Sequence, residues 1–226
     1  MNRYNIFNQI HKGLRSLLYE TALLIQQTDF LNKEETKVAL NKVREVVNLF
    51  EKHAHTEDTY LLPTLAEYEP AVVNVFEEEH VKDHELSEKL LGFVYVLTQS
   101  QLDQTKEEMG RALSIAYVEF MVFNLNHMAK EETVINKLLW RYYTDEQLHG
   151  ITRTIVSNMP PEAFAKMSRQ MLRGLNNAEI ITWLTEVKAT APPFVYAGLA
   201  ATAEAELPQR WGIIRNRLNS EEVLVA

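Results

Sequence analysis

Residues 75–91 read VFEEEHVKDHELSEKLL, with two histidines, His80 and His84, set four residues apart among Glu, Asp and Lys. Four residues is about one helical turn, so on a helix both imidazoles fall on one face. Counting outward along that face, Val73, Phe76, Leu91 and Val94 join the same stripe. This is the three-four spacing of a helix that turns one side to a core. The spacing predicts a helix over roughly 70–99, with its two histidines at positions where apolar side chains belong.

Three further segments show the same period. Residues 4–30 place Phe7, His11, Leu14, Leu18, Ala22 and Ile25 on one stripe. Residues 32–68 do so with Leu40, Val43, Val47, Phe50, His53, Glu57 and Leu61, and residues 103–143 with Leu113, Ala116, Phe120, Phe123, His127, Glu131, Val134 and Leu138. The breaks TDFLNKEE, YEPA and TQSQLDQT carry the expected stop and start residues. Pro63 falls inside the second segment and is expected to kink it or end its regular part. Four long helices with short connections imply an all-α fold, an antiparallel up-down-up-down four-helix bundle over residues 1–143. Residues 144–226 read as a helical extension of shorter elements packed on that bundle. The pairs Pro160-Pro161 and Pro192-Pro193 are each placed to open a helix, giving two helix-pair units about thirty residues apart. Phe164, Trp183, Phe194, Tyr196 and Trp211 are its expected packing anchors.

Composition removes several function classes. The 226 residues contain no cysteine, which excludes disulfides, thiolate nucleophiles and cysteine-ligated clusters and suits a reducing, cytoplasmic setting. A net charge of −8 argues against nucleic acid as the main partner. No apolar run approaches the ~20 residues that cross a bilayer, and the first residues lack the apolar centre of a signal peptide. The scattered glycines form neither a phosphate-cradling loop nor a nucleophile elbow.

What the stripes do contain is five of the seven histidines, His11, His53, His80, His84 and His127, and two glutamates, Glu57 and Glu131. Each glutamate follows a histidine by four residues. Carboxylates on a core stripe are unfavourable unless paired or bound to metal, and imidazole with carboxylate suits iron, zinc or manganese. Seven ligands exceed one tetrahedral zinc site and fit two six-coordinate ions. At 1.5 Å per residue, His11 lies ~10 Å into its helix, Glu57 ~8 to 16 Å before the end of its own, His80 ~15 Å from its start and Glu131 ~18 Å from its end. In an up-down-up-down bundle those depths coincide near one end. Glu79, Asp58, Asp83 and Glu132 adjoin these positions and could accept from imidazole N–H groups, although solvated faces are the simpler reading for most. His55 and His149 read as surface residues.

The series His11, His53-x-x-x-Glu57, His80-x-x-x-His84, His127-x-x-x-Glu131 resembles the hemerythrin-like, or HHE, domain family, a four-helix bundle with a non-haem di-iron centre. The resemblance implies two iron ions, oxo- or hydroxo-bridged, with zinc or manganese as alternatives. It places His80, His84 and His127 on one iron, His11 and His53 on the other, and Glu57 and Glu131 across both. Oxygen-carrying hemerythrins end with His and Asp five apart. The last pair here is His and Glu four apart, as in the broader HHE group, which points away from simple oxygen storage. The cluster-repairing relatives carry a cysteine-containing segment, and this chain has no cysteine. The expected function is therefore binding or sensing of dioxygen, nitric oxide, peroxide or iron itself. A di-iron peroxidase or oxidase and a metal-stabilised structural bundle are the alternatives. The expected partner is a small diatomic or peroxide ligand, with neither nucleic acid nor membrane; a protein partner and the oligomeric state are not readable.

Overall fold

The computed structural model describes residues 3–225, which are all-α, with no strand among the described residues. The helices are α1 (Asn8–Gln27), α2 (Lys33–Tyr60), the single turn α3 (Leu62–Leu65), α4 (Pro70–Gln99), α5 (Asp103–Lys130), α6 (Asn136–Tyr142), α7 (Asp145–Asn158), α8 (Pro161–Gly174), α9 (Asn177–Thr190), α10 (Pro193–Glu206) and α11 (Pro208–Val225). A π-helical turn, Glu131–Ile135, joins α5 to α6. The long helices form the expected up-down-up-down bundle, and their ends have local causes. The Asn32 side chain accepts from the backbone N–H groups of Glu34 and Glu35 at 3.1 and 3.3 Å, with both acids in the first turn of α2. Pro63 has no N–H for an α-helical bond, and α2 stops at Tyr60. Pro70, Pro161 and Pro193 each open a helix, as proline at the first position favours. None of the helices found is long and apolar enough to cross a membrane.

Contacts divide the chain into two compact units. One gathers the chain up to Asn8 with Leu17–Asn158; the other gathers Gln9–Ser16 with the chain from Met159 onward. In the first unit a series of buried positions alternates three and four apart, flanked by further buried residues such as Leu40, Val47, Leu86 and Met128. The positions of the series are 36, 39, 43, 46, 50, 53 and 57 on α2, then 73, 76, 80, 83, 87, 90, 94 and 97 on α4. On α5 and the π turn they are 110, 113, 117, 120, 124, 127 and 131. This is the 3.5-residue period of near-parallel helix packing. The Tyr117 hydroxyl donates to the Leu18 carbonyl at 3.3 Å, tying α5 to α1. A Cβ on Gly110 would overlap the Phe30 ring, so only glycine allows this close approach.

One end of this unit is closed by an apolar cluster around Phe7, Leu61, Leu65, Phe76, Ile135, Leu139 and Leu148. Leu148 lies on α7, which the sequence reading had assigned to the extension; the first unit runs on through Asn158 instead. Arg3 donates to Asp145 at 2.6 Å and Tyr4 stacks on His149 at 3.9 Å, so the start of the chain, together with the buried Leu148, holds α7. The second unit has its own core of Leu172, Ile180, Leu184, Leu199, Ala203 and Ile214. Within it a Cβ on Gly174 would overlap the Lys12 backbone. Trp183 is buried as expected, whereas Phe194 is 76% exposed.

Candidate metal centre

Helices α2, α4 and α5 bring polar side chains into the first unit's interior at one level. His53, Glu57, His80, His127 and Glu131 are all buried. Four of them, Glu57, His80, His127 and Glu131, each offer a ligand atom, and those atoms lie within 4.8 Å of one another. His53 groups with Glu57 and Glu131 within the same limit. The His53 Nε2 lies 3.3 Å from one Glu57 oxygen and the His80 Nε2 3.4 Å from the other, so a single carboxylate faces two imidazoles. His127 Nε2 lies 3.2 Å from Glu131. The π turn begins at Glu131 itself, with the Asn136 N–H reaching back to the Glu131 carbonyl. Single π turns recur at functional sites because they re-aim one side chain within a helix.

The outer nitrogens are equally specific. His80 Nδ1 meets Asp58 at 2.7 Å, and His127 Nδ1 meets Glu79 at 2.7 Å. A ring whose Nδ1–H donates to a carboxylate presents a bare Nε2 lone pair inward, the arrangement metal-binding histidines use. The two inward Nε2 atoms of His80 and His127 lie 3.1 Å apart. Two lone pairs at that distance repel unless a cation sits between them. With metal–nitrogen bonds of about 2.1 Å, 3.1 Å is also the separation of two nitrogens on adjacent positions around one ion. The donor set, three imidazoles and two carboxylates in this unit, fits a borderline transition metal.

The charges agree. Burial pulls the His80 pKa down, but the hydrogen bond and charge of Glu57, and then Asp58, outweigh it and raise it to about 9. For His127 burial also pulls down and is outweighed by Glu131 and Glu79, so its pKa is raised. Burial would push the Glu79 carboxyl up, yet hydrogen bonds from Lys130 and His127 hold it below the usual carboxylate range. The cluster is thus an acidic cage that demands cations, protons or metal. Phe76 and Phe123 flank the His127 ring at 5.6 and 6.2 Å. A cleft lined by Glu79, Phe123, Asn126, Lys130 and Thr133 reaches His127 from the surface.

His84 is a correction. Its side chain is 63% exposed and lies 3.7 Å from Glu51, outside the buried group. The 3.5-residue seam of α4 explains this. After His80 the next inward position is three residues on, at Asp83, and the fourth residue rotates out to the flank. Asp83 is the residue the expected ligand set omitted. It is 4% exposed and lines a small void together with His53, Glu57, His80 and His127. Burial raises its pKa against the hydrogen bond from Asn124, whose Nδ2 donates to it at 2.6 Å. The 3–4 spacing was the available signal for it. Asp58 and Glu79, candidate acceptors in the sequence, do take up the histidine Nδ1 atoms. His11 is fully buried on α1, and His55 is exposed on α2.

The family model described as the hemerythrin HHE cation-binding domain matches residues 2–139. Among curated proteins, the chain is similar to F-box/LRR-repeat protein 5 of Mus musculus, 23% identical over 172 residues, or 76% of this chain and 24% of that protein. The Pongo abelii protein of the same name is 24% identical over 178 residues, 77% and 25% of the two chains. The chain thus spans about a quarter of the length of the curated relatives it matches. No solved structure matches it significantly.

Proposed function

Because the chain belongs to the hemerythrin HHE cation-binding domain family, we propose that its buried His/Glu cage holds two iron ions and binds or senses a small molecule, dioxygen, nitric oxide or peroxide, or iron itself. The observation that carries this reading is the pair of Nε2 atoms 3.1 Å apart whose Nδ1 atoms are both committed to carboxylates. In this reading His80 and His127 serve one ion. His53 serves the other, and Glu57 and Glu131 serve both; the family resemblance adds His11 to the second ion's ligands. Bound iron would supply electrons and an exchangeable position for the small ligand. Asp58 and Glu79 hold the Nδ1 protons and thereby fix the ring orientations. Phe76 and Phe123 flank the His127 ring and give that side of the cage an apolar wall. Lys130 pairs with Glu79 at the mouth of the cleft, where an incoming ligand or proton would pass.

Binding or sensing is favoured over turnover because the cage is richer in histidine than the carboxylate-dominated di-iron bundles. In the curated relatives the matching stretch is a fraction of a longer protein. We read this chain as a metal-responsive protein in a reducing, cytoplasmic setting, with the helices after Asn158 passing on its state. The test is metal analysis of freshly purified protein, with absorption spectra in air and after reduction. The reading expects about two irons per chain and a spectrum that changes reversibly with oxygen. One ion or none after anaerobic iron loading would overturn it, and steady consumption of peroxide would move the assignment to a di-iron peroxidase.

A further inference from the structure

Displacement of His84 from the buried cage gives it a different neighbourhood. On the flank of α4 its ring stands one turn before Glu88, and Glu51 of α2 faces both across the helix pair. One ligand atom from each of the three residues lies within 4.8 Å of the other two, and His84 Nδ1 is 3.7 Å from Glu51. The donors are of two kinds, one imidazole and two carboxylates, which separates the group from an ordinary acidic patch. The lysines nearest on α4 are engaged elsewhere: Lys82 donates to Glu85 at 2.8 Å and Lys89 to Glu119 at 2.6 Å. Glu51 and Glu88 are therefore not neutralised by them. His84 and Glu88 at i and i+4 share a face of one rigid helix, and packing of α2 on α4 fixes the third donor.

We propose that Glu51, His84 and Glu88 form a second metal site, on the surface, that takes one divalent transition-metal ion separate from the buried cage. A mixed nitrogen and oxygen donor set favours Zn2+, Co2+, Ni2+ or Cu2+ over Mg2+ and Ca2+, which prefer oxygen alone. Three side chains leave the remaining coordination positions to water. Side-chain rotations alone draw the donors together, because none of the three is locked in the core. The site binds more weakly than the cage, since its carboxylates are solvated and must be desolvated and ordered as the ion enters.

The experiment uses the full chain with its buried cage already loaded with iron. Zn2+ is added and bound zinc is counted by equilibrium dialysis for the wild type, His84→Ala, Glu51→Gln and His55→Ala. The proposal expects the wild type and His55→Ala to bind one more zinc per chain than His84→Ala, with Glu51→Gln at least tenfold weaker. Iron content and melting temperature should be unchanged in all four. Cu2+ at one equivalent should show imidazole nitrogen coupling in its electron paramagnetic resonance spectrum, lost in His84→Ala. Equal zinc binding by the wild type and His84→Ala would overturn the proposal, as would equal loss in His55→Ala, which marks adsorption to any surface histidine. The zinc count is a difference between variants, so it is independent of how many irons the cage holds.

Discussion

Removing metal from the cage should make it take up a proton, and loading metal should expel it. Glu57 and Asp58 raise the His80 pKa from 6.5 to about 9. At pH 7 about 99% of metal-free chains would then carry that proton, by the two-unit difference. The 3.1 Å contact between His80 and His127 accommodates one extra proton between two nitrogens, so the pair titrates as a unit and releases about one proton per metal loaded. The apparent metal affinity should therefore rise about tenfold per pH unit from pH 6 and flatten near pH 9. The same proton supports the metal-free fold. A folded pKa above the unfolded value contributes stability that is complete below about 6.5 and fades as pH rises through about 9. A shift of this size corresponds to roughly 3 kcal/mol at its fullest. Titration calorimetry of metal-free protein with a divalent ion, in buffers of different ionisation enthalpy, counts the protons directly. No proton release at pH 7, together with affinity constant between pH 6 and 8.5, would refute the proton-for-metal exchange.

Glu131→Ala and His53→Ala should each lose bound metal, while His55→Ala keeps its full complement, as read by metal analysis after gel filtration. Asn124→Ala should destabilise the chain by about 1–3 kcal/mol in urea unfolding, because it leaves the Asp83 carboxyl buried without its donor. Gly110→Ala should cost about 1–3 kcal/mol in the same assay, because the added methyl meets the Phe30 ring.

The bundle was legible because burial repeats every three or four residues in four long segments, and the histidines and glutamates were visible as interruptions of those stripes. His84 was placed inward by its four-residue spacing from His80. Positions three and four residues after His80 both lie near its face, so that spacing alone does not separate His84 from Asp83. The stricter alternation through Val73, Phe76, His80 and Asp83 would have chosen the aspartate. The π turn at Glu131 leaves no mark in the sequence, since EETVI is compatible with an ordinary helix and only tertiary packing selects the extra residue. The membership of α7 in the first unit was hidden for a similar reason. It involves Arg3 and Tyr4, more than a hundred residues away, reaching Asp145 and His149, and Leu148 packing with Phe7 and Leu61. The prolines, by contrast, act locally, and Pro161 and Pro193 open helices as their chemistry dictates.

The most direct test of the buried centre is a crystal structure of the iron-loaded protein with diffraction recorded at the iron absorption edge. The account predicts two anomalous peaks beside Glu57 and Glu131, one next to His80 and His127 and the other next to His53. A single peak, or peaks only at the exposed His84 with the cage empty, would contradict it.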